Sequence, residues 1–262
     1  MDEIVSFEKI LWLVTILVNV GLVALLLYRK NYRAFPLFFA YILITTIQNG
    51  ILAVTYRLWG FGSPEARNIG WGTQFVVILA RGLAVVEICS QVLGKYRGIW
   101  ALAWRMLLAS AALVLLYAAV VASFQWQYLI LNADRGLELA VAVEILILFI
   151  FVHYYEVNIE PAIRALAFGF FLYSCTLVLN DTILEGWKRS YGTLWHLLGT
   201  LSFLASLLLW GWALRKELRE KTPEPVLLSA DVYGVFTPEI NFRLRLLNEQ
   251  LDRFWNEEGK RP

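Results

Sequence analysis

ILWLVTILVNVGLVALLLYRKNYRAFPLFFAYILITTIQNGILAVTYRLW, residues 10–59, decides the fold. Two apolar runs flank the basic turn Tyr28-Arg29-Lys30-Asn31-Tyr32-Arg33. Crossing the hydrocarbon of a bilayer takes about 20 apolar residues, and each run is that long. A segment in lipid has no water to satisfy its backbone, so each run is expected to be a helix. The first run follows Met1-Asp2-Glu3, with Glu8 close behind. It lacks the positive lead and small-residue cleavage site of a signal peptide, so it reads as a retained span.

The pattern continues outward from this pair. Further apolar blocks fall at about 71–93, 99–124, 136–154, 162–183 and 194–214. Within residues 10–59 the spans read as 10–27 and 35–58. The fold class is therefore all-α: a polytopic membrane protein, expected as a seven-transmembrane-helix bundle over residues 1–214. Span five has the least defined start, because Tyr128-Leu129-Ile130-Leu131 also suits a loop resting on the membrane interface. Composition agrees: hydrophobic residues are 59% of the chain and charged residues 17%, against roughly half and a quarter in soluble domains.

Short loops rich in Lys and Arg stay on the cytoplasmic side. An N-out, C-in arrangement puts Arg29, Lys30, Arg33, Lys95, Arg97, Arg164, Arg215, Lys216, Arg219 and Lys221 inside. Fewer basic residues (Lys9, Arg57, Arg67, Arg135, Lys188, Arg189) then lie outside. Tryptophans near both ends of the spans suit an interfacial belt.

Beyond the bundle, residues 215–236 read as a linker broken by Pro223, Pro225 and Gly234. Thr237-Pro238-Glu239 then has the form of a helix start, with Thr as N-cap and Pro at the first helical position. Ile240, Leu244, Leu247, Leu251 and Phe254 follow at spacings of four and three, one apolar stripe along a cytoplasmic amphipathic helix within 237–262. Two heptads are too short to stand alone. The bundle's inner face, a second copy, a partner or lipid must cover the stripe. Acids outnumber arginines here, so protein contact is favoured over an anionic leaflet.

Charges inside spans cost about 2.5–3.5 kcal/mol each on insertion scales and are functional candidates by default. Arg81 on span three and Glu144 on span five fall at matching depth, so an Arg81–Glu144 ion pair is expected. Gln48, Asn49, Gln74, Glu138, Asn180, Asp181 and His196 lie from the midplane outward, and suit the lining of a polar cavity open to the outer face. Glu87 adds a charge on the inner side. Arg105 is there to pair with it or to snorkel to the headgroups. Against all of these stands a structural role, since interhelical hydrogen bonds hold membrane bundles together.

Several chemistries have no residues to carry them. Every lysine lies in a loop, an end or the tail, so no retinal-type Schiff base is expected. His153 and His196 fall in opposite leaflets, which excludes a haem held by both. No HExxH, CxxC, GxSxG or phosphate-loop pattern occurs. The two cysteines, Cys89 and Cys175, read as small buried hydrophobes. No metal, cofactor or nucleic acid is expected, and no enzymatic activity; the formal net charge of +2 predicts no polyanion affinity.

The stretch Arg33-Ala34-Phe35-Pro36-Leu37-Phe38-Phe39-Ala40-Tyr41, with Leu246-Leu247-Asn248-Glu249-Gln250-Leu251, resembles a group of multi-pass membrane proteins from soil bacteria, Acidobacteria among them. The resemblance implies only a bacterial inner-membrane setting, and carries no functional residues. The sequence thus points to a non-enzymatic membrane protein, sensor-like or a membrane subunit. Its C-terminal helix would dock a partner or a second copy. The alternative is a small-solute or proton-coupled transporter using Arg81, Glu87 and Glu144. The ligand is not specified by either reading.

Overall fold

In a computed structural model the described residues include, in chain order, the helices α1 (Asp2–Tyr28), α2 (Pro36–Trp59), α3 (Pro64–Leu93), α4 (Arg97–Val121), α5 (Trp126–Tyr154), α6 (Pro161–Gly186) and α7 (Gly192–Ala213). It describes the backbone of residues 2–60, 63–121, 126–155, 157–186, 192–218, 245–251 and 253. Side chains at 2–9, 97, 121, 126–128, 131, 180–186 and 192–196 are outside the description. No strand occurs among the described residues.

Among the described residues, six helices are long and apolar enough to cross a membrane: the segments Ile10–Tyr28, Pro36–Trp59, Pro64–Leu93, Gly98–Val120, Asn132–Tyr154 and Pro161–Leu179. The chain is therefore an integral, multi-pass, all-helical membrane protein. α7 carries a shorter apolar run, Leu197–Ala213. Many large apolar side chains face outward, among them Leu17, Leu113 and Val120. In water that would be an aggregating surface; in acyl chains it is solvated.

The helix boundaries follow local chemistry. α1 stops at Lys30, whose positive φ of 57° turns the chain out of the helix, and a single 3-10 turn (Asn31–Arg33) follows. Pro36 begins α2 and Pro64 begins α3, both at positions where a missing N–H costs nothing. Ser63 caps α3, its hydroxyl accepting from the Ala66 amide at 3.1 Å. α5 begins at Trp126, so the apolar stretch at 128–131 belongs to that helix and is not an interfacial loop.

α1, α2, α3, α5, α6 and α7 form a closed ring, with α7 packed back on α1. α3 also reaches across to α6, and α4 leans on the outside of α5 and α3. Burial reflects this: 61% of the apolar window of α3 is buried, against 6% for α4. The ring's core is aromatic. Trp210 packs against Phe170 (ring centroids 4.8 Å apart) and edge-on against Phe38 (5.2 Å). Its indole N–H donates to the Leu166 carbonyl at 3.1 Å, which satisfies the one polar atom of an otherwise apolar ring.

Gly169 makes room for that ring. A Cβ there would stand 2.2 Å from Trp210 Nε1, inside any tolerable contact. Gly169→Ala is thus expected to destabilise the bundle by about 1–3 kcal/mol through overpacking. A Tm in detergent equal to that of the wild type would show that Trp210 can shift aside.

At the end of the bundle holding the α1–α2 turn, Asn31 is fully buried. Its amide Nδ2 donates to the carbonyls of Leu214 (2.8 Å) and Lys216 (3.0 Å), and its Oδ1 accepts from the Leu218 amide (2.9 Å). One side chain thus satisfies backbone groups that the end of α7 would otherwise leave unpaired.

Candidate functional site

Arg81 is 3% exposed on α3. Its Nη1 reaches two carboxylates of α5: Asp134 at 3.3 Å and Glu138 in closer contact. The expected partner, Glu144, is elsewhere; its Oε1 is hydrogen-bonded to Ser110 of α4. The correction has a simple cause. Asp134 and Glu138 are four residues apart, about 40° around a helix, so they share a face. Glu144 is six residues beyond Glu138, about 120° away, and turns toward a different neighbour.

The ion network extends over four helices. Ser174 of α6 donates to Glu138 Oε2. The Asp134 Oδ2 accepts from Gln74 Nε2 at 2.8 Å, and Gln74 Oε1 accepts from Gln48 Nε2 at 3.1 Å. Aromatic rings flank the cation: Arg81 lies over the Tyr173 ring at 5.3 Å, with the buried Tyr41 beside it. Glu138 is 2% exposed, whereas the Asp134 side chain keeps 24%. Asp134 is therefore where the network meets its surroundings. It stands near the N-terminal end of the Asn132–Tyr154 segment, toward the α2–α3 end of the bundle.

The expected cavity residues divide accordingly. Gln48, Gln74 and Glu138 are brought together. Asn49 is half-buried and joins none of these bonds. Asn180, Asp181 and His196 have side chains outside the described residues. Glu87 does not belong with the others. Its two carboxylate oxygens accept from the amides of Leu37 (3.1 Å) and Phe38 (2.8 Å), at the start of α2. The carboxylate serves as a cap supplied by a neighbouring helix, because Phe35 at the N-cap position offers no side-chain acceptor. One turn on, Gln91 Nε2 donates to the Ala34 carbonyl at 3.2 Å, tying α3 to the same turn.

Asp134 was not visible as a site residue in the sequence. Asn-Ala-Asp-Arg-Gly at 132–136 reads as a polar loop, and only the helix running through it places Asp134 above Glu138. The available signal was the i, i+4 spacing of the two acids.

The tail stripe is partly covered by the bundle itself. Residues 245–251 are helical. Asn248 Oδ1 accepts from the Gly98 amide at 2.9 Å, at the start of α4. Leu251 packs against the main core, and Leu247 is half-buried. Ile240, Leu244 and Phe254 lie outside the described residues.

Comparison with known proteins adds no relative: no family model matches the chain, and no curated protein or solved structure matches it either.

Proposed function

We propose that this is a non-enzymatic membrane protein of sensor or membrane-subunit type, inserted N-out and C-in in a bacterial inner membrane, with α7 as its seventh span. The Arg81–Asp134–Glu138 network in its outer half responds to a small ligand or ionic state. The C-terminal helix at the cytoplasmic end carries that response to a partner or second copy. The observation carrying this reading is a buried cation shared by two acids, one of which is partly exposed. A ligand that binds one arrangement of such a network better than another would shift it, as a sensor needs.

α3 supplies a continuous connection between the two ends. It bears Arg81, then Glu87 and Gln91 against the α2 start, and then runs into the turn leading to Gly98. Continuity also favours this reading over the transporter alternative. Transporter sites typically lie at broken helices, and both α2 and α3 run unbroken through Gly50 and Gly82.

Spatial connection is not coupling until measured. Hydrogen exchange of residues 245–251 in reconstituted protein measures it. Asp134→Asn is expected to raise exchange there relative to wild type, while leaving α6 protected. Unchanged exchange would mean that the outer network does not communicate with the tail. Proton or solute flux in wild-type proteoliposomes, abolished by Arg81→Gln, would instead establish the transporter reading.

A further inference from the structure

Glu144 takes no part in the network above. It stands midway along the Asn132–Tyr154 segment, and its partner Ser110 stands midway along Gly98–Val120. The pair therefore sits at the centre of the hydrocarbon, in the seam between α5 and the peripheral α4. Among the described residues, no cation contacts Glu144. Arg81 is committed to Asp134 and Glu138, and Arg105 is five residues before Ser110, about 140° around α4. The titratable group facing Glu144 from α3 is the Cys89 thiol. From α4 it meets the Ser110 hydroxyl, and α6 meets the other face of α5, through Ser174 and Glu138.

The hydrogen bonds around Ser110 say what Glu144 must be. Ser110 Oγ lies within bonding distance of both the Leu107 carbonyl (2.9 Å) and the Glu144 carboxyl. A hydroxyl has one proton to donate. If Glu144 were ionised, it and Leu107 would compete for that proton. An uncompensated carboxylate would also be left in the middle of the membrane, which is strongly unfavourable. If Glu144 carries a proton, both contacts are satisfied. The Glu144 O–H donates to Ser110 Oγ, and the Ser110 O–H donates to Leu107.

We propose that Glu144 and Ser110 form a proton-binding site at the α4–α5 seam, occupied at neutral pH and separate from the Arg81 network. The ligand is the proton itself, held by a carboxyl–hydroxyl–carbonyl relay. Its position beside the least buried helix opens it sideways toward lipid instead of along the bundle axis.

Infrared spectroscopy of the reconstituted full-length protein at neutral pH tests this. A protonated-carboxyl C=O band that shifts in deuterated buffer is expected in wild type. Glu144→Gln should remove it, and Glu138→Gln should leave it in place. Ser110→Ala should move it to higher frequency, since the acid O–H loses its acceptor. Absence of the band, or its survival in Glu144→Gln, would overturn the proposal. A second measurement needs no variant. An apolar carbodiimide takes the acid proton on one nitrogen while the carboxylate oxygen bonds to its central carbon. The acyl group then migrates from oxygen to nitrogen, giving a stable N-acylurea with nothing lost. Mass spectrometry should find this adduct on Glu144 and not on Asp134 or Glu138. An unmodified Glu144 beside labelled Asp134 or Glu138, or no labelling at all, would count against the site.

Discussion

Replacing Arg81 by Met is expected to destabilise the folded bundle by about 3–5 kcal/mol, the usual consequence of removing one partner from a buried ion pair. The loss comes less from the missing attraction than from what is left behind. Glu138 is almost fully buried and Asp134 lies one turn away on the same face, so two like charges would remain without a cation. Arg81→Lys should recover only part of the loss, because an ammonium lacks the planar fork that addresses two carboxylates at once. Combining Arg81→Met with Asp134→Asn and Glu138→Gln should recover more, since the buried charge then disappears with its partner. Thermal unfolding in detergent measures all of these. A triple variant no more stable than Arg81→Met alone would mean that Arg81 acts through packing on Tyr173 and Tyr41.

The second large effect is expected at Glu87. Glu87→Leu leaves the Leu37 and Phe38 amides at the start of α2 without acceptors, in a place where Phe35 cannot replace them. Hydrogen bonds to a charged group contribute about 1.5–3 kcal/mol, and this carboxylate makes two while also facing the positive end of the α2 dipole. A loss of roughly 3 kcal/mol follows. Glu87→Gln keeps one acceptor oxygen and should lose about half as much. Comparing the Tm of the two variants separates capping from simple bulk, because a packing role would make Gln and Leu nearly equivalent.

Most of the architecture was legible in the sequence because bilayer thickness imposes a length that composition alone reveals. The starts of α2 and α6 were legible to within a residue, at 35 and 162 against Pro36 and Pro161, whereas α3 begins at Pro64, well before the apolar block at 71. Depth was misjudged: matching heights gave Arg81 the partner Glu144, whereas its acids, Glu138 and Asp134, lie six and ten residues nearer the start of α5. What the sequence lacks is rotation. The 120° between Glu138 and Glu144 shows that both cannot face Arg81, but not which one does, because that depends on how α5 rolls against α3. The start of α5 compounded the problem, since a polar pentapeptide at 132–136 hid inside a helix and took Asp134 with it. Glu87 was misread for a different reason. A charge in a span invites the search for a countercharge, yet two backbone amides serve equally well, and the unsupported Phe35-Pro36 start of α2 was the available hint. The tail stripe was legible as a surface needing cover. Its cover is, at least at Asn248 and Leu251, the end of the bundle where α4 begins.

Asn31 has a consequence for how the molecule is made. It sits in a turn made well before α7 in chain order, yet its three bonds are to backbone groups from 214 to 218. Until that late stretch arrives, the asparagine amide has no native partners, and α7 cannot be fastened beside α1. Closure of the ring therefore waits for α7, with the α1–α2 turn made long before its partner. A chain stalled during synthesis would present an open seam to the quality-control machinery of the membrane.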